Sequence, residues 1–420
     1  MVLPMKYRQP VLLGILMFSV LSLFVSRAGL SISMIAFVAL TALHRDIGTQ
    51  LRHLLRQPVL LGMTGLFAVP LVSGLWSANT GEWAGALQIK LPLLFFPLAF
   101  AGRWQLSARQ WRLLAWFFLG CVAAGAAWSL AGYLAHFAAH NDGFLRAQTF
   151  ATPLGDDHVR FSWLVSVAAL TVIVLWRASE RRLRWLLGVL FAFYALYLHI
   201  LAARTGLGSF YLVLAACGIY LVWRRRSWQL GTVALALLVA APLLAWRFLP
   251  SFHNRVQYIR YDFAFVKGGT YTPGANDGNR FLSIRAGLDL MRQYPGGVGF
   301  GDIFPSANEW YDTHYPGMLR NDRFYPSSEW LVYGVGAGWA GALLFSLCML
   351  LPLLQRGMRH RFWWIVLNGS AAFSFLFDIG LEVQYGVYLY VFLILWWWKW
   401  LTPDPGPADY ASEPVNRHHL

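Results

Sequence analysis

The sequence predicts an all-α polytopic membrane protein with about twelve transmembrane helices and a large folded extracytoplasmic loop. Three observations predict this class. Of the 420 residues, 58% are hydrophobic and only 13% are charged, whereas about a quarter of the residues in an ordinary soluble protein are charged. The apolar residues gather in long runs, such as 183–201 and 330–351, and a helix needs about 20 such residues to cross a bilayer. The cations are concentrated in alternate loops, which is typical of polytopic membrane proteins.

The predicted spans are the apolar runs between clusters of charge, glycine and proline. The first run follows Lys6 and Arg8 and resembles a signal peptide, but no small-x-small cleavage site follows it, so we expect it to be retained as a span. The twelve predicted spans are 11–26, 28–43, 58–75, 85–101, 111–137, 161–176, 184–202, 206–223, 230–249, 329–354, 362–380 and 384–401.

The charge distribution predicts that both termini are cytoplasmic. With the N-terminus inside, the inner segments hold 20 of the 34 Lys and Arg residues but only five of the 19 acidic residues, and cations in short loops stay on the cytoplasmic side. The net charge of +15 therefore lies where anionic lipid headgroups are found. It does not indicate a nucleic-acid partner. The tryptophans of 396–400 are expected to lie in an interfacial aromatic belt at the end of the last span.

Cysteine usage excludes two kinds of stabilising site. The three cysteines, Cys121, Cys217 and Cys348, lie inside apolar runs and not in loops. This pattern is not that of a disulfide framework or of a CxxC metal site.

One outer loop is too large to be a simple connector. Residues 250–325 carry eight cations, seven acids and fifteen aromatic residues, which is too aromatic for a disordered segment and too long for a connection between spans. We expect a folded cap there. The predicted organisation is transmembrane helices one to nine in 1–249, an extracytoplasmic (periplasmic) loop domain at 250–325, helices ten to twelve in 326–401 and a cytoplasmic tail at 402–420.

Two isolated arginines on the outer side are candidates for anion binding. Arg204 is the only charged residue between Gly188 and Trp223, and an arginine that reaches the hydrocarbon needs a partner or a function. Within the cap, 279–294 is predicted to form a helix, with Phe281, Ile284, Leu288 and Met291 on an apolar stripe and Arg280 at its edge. Anchoring at the bilayer surface is the alternative for both arginines.

Further candidates have simpler structural explanations beside the functional ones. Lys90 begins span four on the outer side and is either an interface anchor or a binding residue. In 156–160, the acids are expected to cap the following helix, while His158 and Arg160 are candidate donor-site residues. Adjacent side chains on a helix point in different directions, so the segment is a poor metal site. No metal is predicted.

The order of several motifs resembles the O-antigen ligase and O-antigen polymerase-like family of membrane glycan transferases. The motifs are Ala203-Arg204-Thr205-Gly206 before an apolar helix, Asn279-Arg280 followed by Pro295-Gly296-Gly297-Val298-Gly299-Phe300-Gly301, and a last loop segment that leads into Gly338-Trp339-Ala340-Gly341. The span layout and the position of the large loop are similar too, so the resemblance covers nearly the whole chain.

The resemblance implies a fold like that of integral-membrane glycosyltransferases, without cofactor or metal. It implies transfer of a glycan from a polyprenyl (undecaprenyl) pyrophosphate carrier to lipid A core, or to another glycan or protein acceptor, at the outer face of the bacterial inner membrane. Arg204 and Arg280 match the arginines that hold the carrier's pyrophosphate. Fixed guanidinium groups suit this role, because they stabilise the charge that accumulates on the departing diphosphate.

The chain departs from the family pattern at the residue that serves as base. Ser327 occupies the position of the family's histidine, and Ser328 follows it before the Gly-x-x-Gly helix. Glu329 and His314 are the nearby groups that are able to accept a proton from an acceptor hydroxyl. The structural alternative for Glu329 is an acidic residue in the first helical turn behind a serine cap.

Three functional readings of the sequence remain. The first is a ligase acting on lipid A core, and the second is a repeat-unit polymerase of the same family. The third is a transporter or translocator of lipid-linked sugars, although transporters usually contain internal repeats and broken spans at mid-membrane, and no repeat relates the two halves of this chain. A further alternative is a non-catalytic membrane scaffold, for which the missing histidine is the best argument.

Overall fold

The protein is all-helical in the residues described by the computed structural model, which are 5–42, 47–146, 148–177, 179–267, 271 and 273–402. No β-strand occurs among them. The predicted tail beyond Thr402, and with it Arg417, lies outside the described residues, as does Arg45 of the first inner loop.

In the part of the chain that the structure describes, twelve helices precede the segment 250–325. They are α1 Met5–Val25, α2 Arg27–Ala42, α3 Ile47–Arg56, α4 Pro58–Ser73, α5 Thr80–Lys90, α6 Pro92–Phe100, α7 Ala108–Ala135, α8 Phe137–Phe144, α9 His158–Arg177, α10 Arg181–Leu201, α11 Arg204–Arg225 and α12 Trp228–Phe248. Six helices follow, namely α13 Pro250–Lys267, α14 Asn276–Gln293, α15 Ile303–His314, α16 Glu329–Leu350, α17 Arg361–Phe377 and α18 Gln384–Leu401. Short 3₁₀ turns lie at Arg320–Asp322, Leu351–Leu354 and Gly380–Glu382.

Each predicted span coincides with a helix or, in one case, with a pair of helices. Span four is divided into α5 and α6 next to Pro92, since proline removes a backbone donor and disfavours helical geometry in the residue before it. By length and hydropathy, eight segments of the described chain are able to cross a membrane. The predicted number of twelve further requires α2, α4, α17 and α18, which have 16, 16, 17 and 18 residues. At 1.5 Å per residue, helices of that length are slightly shorter than the hydrocarbon core of a typical bilayer.

The packing separates a protein core from a lipid-facing surface. Helix α18 is buried along most of its length, whereas only 6% of α12 is buried. The exposed side chains of α12 are nevertheless apolar, among them Val233, Leu235 and Leu237. A helix that is apolar all round and exposed on most of its surface requires an apolar solvent, so α12 faces lipid.

The expectation of an interfacial tryptophan belt is wrong. Trp396 and Trp397 have no exposed surface, and Trp398 is 2% exposed. Trp396 packs edge-on against Phe118 at 5.2 Å between ring centroids. These side chains are packed between helices, because α18 is surrounded by other helices of the bundle along most of its length.

The segment 250–325 contains α13, α14 and α15, and α14 packs on the first half of α16. Helix α14 begins at Asn276, three residues earlier than predicted. Its buried face also differs from the predicted stripe, because Phe281 is 48% and Leu288 39% exposed while Asn279 and Ser283 are buried. Met291 of the predicted stripe is buried together with Leu282 and Leu290. The rest of the buried face consists of small and polar residues, which a search for apolar periodicity does not detect. We call residues 250–325 the cap and the side of the bundle on which they lie the cap side.

The glycine-rich segment 295–301 lies on a break in α16. At Ala337 and Gly338 the backbone leaves helical geometry, with φ of 69° at Gly338, and the break leaves two carbonyls of α16 without their usual helical donors. Val298 N donates to Val335 O at 2.9 Å, and Gly299 N donates to Gly336 O at 2.9 Å. In return Trp339 N donates to Pro295 O at 3.1 Å. The cap is therefore joined to the membrane bundle by backbone hydrogen bonds.

Candidate active site

The candidate site lies on the cap side. Helices α9, α11 and α16 begin there, next to α13 and α14 of the cap. Arg204 is placed there by the tight connection between α10 and α11, in which Ala202 takes a left-handed conformation with φ of 51°. Gly206 allows α11 to approach α9 closely, because a Cβ at this position would lie 2.3 Å from the Ser162 side chain. The connection thus fixes Arg204 at the first turn of α11.

Arg204 is paired with an acid of the cap. Its Nη2 donates to Oδ1 of Asp277, and the side chain of Asp277 is only 3% exposed while that of Arg204 is 43% exposed. Oδ2 of Asp277 has no hydrogen-bond partner among the described residues. Arg204 is thus oriented from the cap and still has an accessible surface.

Asp277 is itself held by hydrogen bonds between α13 and α14. Its backbone N donates to Asp262 Oδ2 at 2.6 Å, and Tyr258 OH donates to the same oxygen at 3.1 Å. Asn276 N donates to Tyr258 OH at 2.9 Å. These bonds position the first turn of α14, and with it the partner of Arg204.

Two further arginines lie close to Arg204 without an acidic partner at hydrogen-bond distance in the described part of the chain. They are Arg280 of α14 and Arg255 of α13. Burial, and then the positive charge of Arg204, lower the pKa of both guanidinium groups, while Asp277 acts in the opposite direction. The three arginines therefore form a site with a local excess of positive charge, which favours a bound anion.

Arg160 and its neighbours form the adjoining wall of the site. Arg160 Nη2 lies 3.0 Å from Asp378 Oδ1 and donates to Ile379 O at 3.1 Å, while its Nη1 donates to both oxygens of Asp157. Asp157 Oδ1 also accepts from the backbone N of Arg160 at 3.2 Å, so the expected capping of α9 by an acid is present. His158 is the first residue of α9, next to Asp157.

Lys90 is a buried ion-pair partner, which excludes the interface-anchor alternative. Its side chain is 0% exposed, and its Nζ lies 2.6 Å from Glu382 Oε1. The ammonium also lies 5.5 Å from the ring centroid of Phe300 in the glycine-rich segment. Lys90 therefore links α5, the Gly380–Glu382 turn and the cap. Removing either partner of a buried ion pair strongly destabilises a protein, because the other charge is left buried without a partner.

Glu329 begins α16 and is fully buried. Leu381 N donates to its Oε1, and Oε2 has no partner among the described residues. Glu382, Lys90 and Asp378 are its charged neighbours. The side chain is therefore in the charged cluster but is enclosed.

The two serines before α16 make structural contacts and do not cap the helix with their hydroxyl groups. Ser283 Oγ donates to Ser327 Oγ at 2.7 Å and also accepts from Ser327 N at 3.2 Å. Ser328 stands at the N-cap position, but its hydroxyl donates to Phe375 O at 3.3 Å. The predicted serine cap is therefore not formed by a side chain.

His314 is separate from this cluster in its contacts. It is the last residue of α15, not part of an irregular loop. Its ring stacks on Trp310 at 4.3 Å between centroids, and its Nδ1 lies 2.9 Å from Trp310 O. None of the contacts of His314 in the described chain reaches Arg204, Arg280 or Glu329.

Reasoning from the sequence missed four residues of the site: Arg255, Asp277, Asp378 and Glu382. A signal for the first was available, because Arg255, Tyr258 and Asp262 recur at helical spacing within the cap. The acids carry no comparable local signal, since each is recognisable only from the cation that the fold places beside it. Among the described residues, no group of three or more His, Cys, Asp or Glu side chains has the arrangement of a metal site.

The fold and the site define a class: an all-helical, polytopic membrane protein with a cluster of arginines where its helices meet a helical cap. Residues 189–346 match the family model of O-antigen ligase, which supports the resemblance to the O-antigen ligase-like family that the motifs indicate. The match runs from α10 into α16 and includes the whole cap, Arg204 and Arg280. No curated protein matches the chain significantly.

Proposed function

We propose that the protein transfers a glycan from a polyprenyl pyrophosphate, undecaprenyl pyrophosphate in bacteria, to a hydroxyl group of lipid A core at the outer face of the inner membrane. The observation that carries this proposal is the meeting of Arg204 and Arg280 at the helix ends on the cap side. A polyprenyl chain lies in the bilayer and its pyrophosphate at the surface. Arg204 begins the apolar helix α11 and Arg280 lies on α14 of the cap, so the two arginines lie where the apolar bundle gives way to the cap.

In the proposed reaction, the acceptor oxygen forms a bond to the anomeric carbon of the donor sugar as the bond from that carbon to the phosphate oxygen breaks. The electron pair of the breaking bond leaves with the carrier's pyrophosphate. Guanidinium groups fixed in a poorly solvated site stabilise this charge without reorganising during the reaction. Arg204 is oriented for this purpose by Asp277, and Arg280 is free of any hydrogen-bonded acid in the described chain.

We assign Glu329 as the base that accepts the proton of the acceptor hydroxyl. Its Oε2 has no hydrogen-bond partner among the described residues, and its Oε1 is oriented by Leu381 N. His314 is stacked on Trp310 and outside the charged cluster. Because Glu329 is enclosed, the assignment requires that the bound substrates open a path between α14 and α16. Four residues support the donor site through the ion pairs and hydrogen bonds described above, namely Lys90, Arg160, Ser327 and Ser328. His158 is proposed to contact the donor from the first turn of α9.

The acceptor distinguishes a ligase from a polymerase. The matched family model, O-antigen ligase, supports a transferase of the ligase or polymerase kind. Offering both acceptors to the purified protein tests the assignment. Transfer to lipid A core alone is expected, whereas chain growth on the carrier alone would make the protein a polymerase.

The arginines provide the main test of the proposed function. Arg204→Ala and Arg280→Ala are each expected to lower transfer of a carrier-linked glycan by at least 10²-fold, on the scale of losing one charge-stabilising donor. Lysine at either position should rescue poorly, because an ammonium lacks the planar fork that binds two phosphate oxygens. Transfer is measured with purified protein in detergent or lipid.

Arg292→Ala is the matched control. Arg292 lies on α14 like Arg280, but its side chain is 72% exposed and pairs only with Asp289. Its removal should leave transfer unchanged. Near-normal transfer by a properly inserted alanine variant of Arg204 or Arg280 would show that this arginine does not hold the pyrophosphate.

A further inference from the structure

Arg255 is a buried arginine of the cap with unsatisfied side-chain donors. It lies on α13 and is 7% exposed. Its Nε and Nη1 atoms are inaccessible to solvent and have no hydrogen-bond partner among the described residues. The guanidinium carbon lies 5.6 Å from the ring centroid of Tyr258. The described chain therefore holds the side chain by stacking and leaves its donors unsatisfied.

Such an arrangement is costly unless a ligand completes it. Buried polar groups in folded proteins are hydrogen-bonded in the great majority of cases, and a buried charge without a partner is strongly unfavourable. Arg204 and Arg280 repel Arg255 and add to this cost, while Asp277 offsets part of it. The nearby acid Asp277 directs Oδ1 to Arg204, and its backbone is bound to Asp262.

We propose that Arg255 is a third ligand for the donor's pyrophosphate, binding phosphate oxygens through Nε and Nη1 once the entering donor has opened the enclosed site. Arg204 reaches the same anion from α11 and Arg280 from α14, so the three guanidinium groups approach it from three helices. A diphosphate offers enough oxygen atoms for several charge-assisted contacts of this kind. The assignment rests on the proposed function and adds a binding residue on α13, which neither the sequence motifs nor the family match singles out.

The role of Asp262 and Tyr258 follows from this assignment. Tyr258 contacts Arg255 through its ring and Asp262 through its hydroxyl, and Asp262 binds the backbone of Asp277. One set of contacts therefore positions Arg255 and the acid that orients Arg204. These two residues act as positioning residues, because they reach the anion only through the arginines.

The test uses the full-length protein in detergent and measures binding of inorganic pyrophosphate and of a short polyprenyl pyrophosphate. Arg255→Met keeps a long side chain and removes the charge, so it should weaken both ligands by about 10- to 100-fold, which is the contribution of hydrogen bonds to charged groups. Without ligand, its thermal midpoint should not fall below that of the unsubstituted protein, because an unsatisfied buried charge has been removed. Arg260→Ala is the control, since Arg260 lies on the same helix but is exposed.

A second variant covers the case in which the methionine variant fails to fold. Arg255→Lys keeps the charge, and it should fold and bind at least fivefold more weakly, because it lacks the fork. Unchanged binding by whichever variants fold would overturn the role of Arg255. If Arg204→Ala and Arg280→Ala then still weaken binding, the proposed function stands without Arg255. Failure of the unsubstituted protein to bind either pyrophosphate would overturn both proposals.

Discussion

At the scale of single residues, the arginines of the site differ in how the protein holds them. Arg204 is paired with a buried acid and Arg160 with two acids. Arg280 and Arg255 have no such partner among the described residues. A paired arginine keeps its position but has part of its charge neutralised, whereas an unpaired one retains its full attraction for an anion. The combination supplies both orientation and net positive charge.

The identity of the base is decided by comparing two variants. Glu329→Gln preserves shape and removes basicity, and it should lower transfer of a carrier-linked glycan at least as severely as His314→Ala. The reason is that Glu329 lies among the charges of the site, whereas the contacts of His314 are with Trp310. Transfer rates of both purified variants are compared at saturating donor concentration.

The thermal midpoint of each variant serves as its control, because the amide of a buried glutamine still accepts from Leu381 N through its oxygen. Full transfer by the glutamine variant together with loss in the histidine variant would move the base to α15. Equal and full transfer by both would remove both residues from proton transfer.

At the scale of elements, the break in α16 explains the glycine-rich segment. A Cβ at Gly338 would lie 2.0 Å from Pro295 O, and one at Gly297 would lie 2.5 Å from Gly338 N. Gly297 also has a φ of 84°, which residues with a Cβ rarely adopt. The glycines therefore allow two backbones to approach closely enough to exchange hydrogen bonds. Their role is to attach the cap to α16, and no contact with substrate is needed to explain them.

Two neighbouring glycines provide a matched test of this explanation. Gly297→Ala should destabilise the protein by about 2–4 kcal/mol, from the forced left-handed conformation and the displacement of α16. Gly296→Ala should have little effect, because a Cβ there would meet nothing within 4 Å. The free energy of unfolding in detergent, or the thermal midpoint, is the measurement. Equal effects of the two substitutions would contradict the proposed attachment.

The same attachment is reinforced by Asp302 at the start of α15. Its carboxylate accepts from Ser77 Oγ at 2.8 Å and from the backbone N of Ala78 at 2.7 Å. Ser77 Oγ in turn accepts from Gly301 N at 3.0 Å. The turn between α4 and α5 is thus a second point at which the cap meets the bundle, and α5 carries Lys90 into the site.

At the scale of the whole molecule, the proposed function requires the cap to be outside and both termini to be cytoplasmic. The expectation follows from the 20 of 34 cations on the predicted inner side. Reporter fusions within 260–320 should be active only in the extracytoplasmic compartment, and fusions after Leu420 only in the cytoplasm. Fusions after Arg226, between α11 and α12, are the inner-side control. A cytoplasmic cap would contradict the proposed function and the topology together.

The sequence by itself determined the fold class, the resemblance to the O-antigen ligase-like family and the positions of the long apolar helices, because these depend on local properties. Apolar runs of bilayer length and the breaks between them are legible along the chain, and the tight connection at Arg204 and the glycine-rich segment carry the family's order of motifs. Four cations were recognisable as unusual, because a cation beside an apolar run is costly in any fold. They are Arg204, Arg280, Arg160 and Lys90.

Only the tertiary structure decided which of these residues meet. The pairing of Arg204 with Asp277, of Arg160 with Asp378 and of Lys90 with Glu382 joins positions 73, 218 and 292 residues apart, and no local pattern encodes such distances. The burial of the tryptophans of α18 and of Glu329 was also a tertiary result, since both depend on which helices surround them. The unsatisfied donors of Arg255 became visible for the same reason: burial and hydrogen bonding are properties of the packed bundle, whereas the sequence records only that an arginine is present.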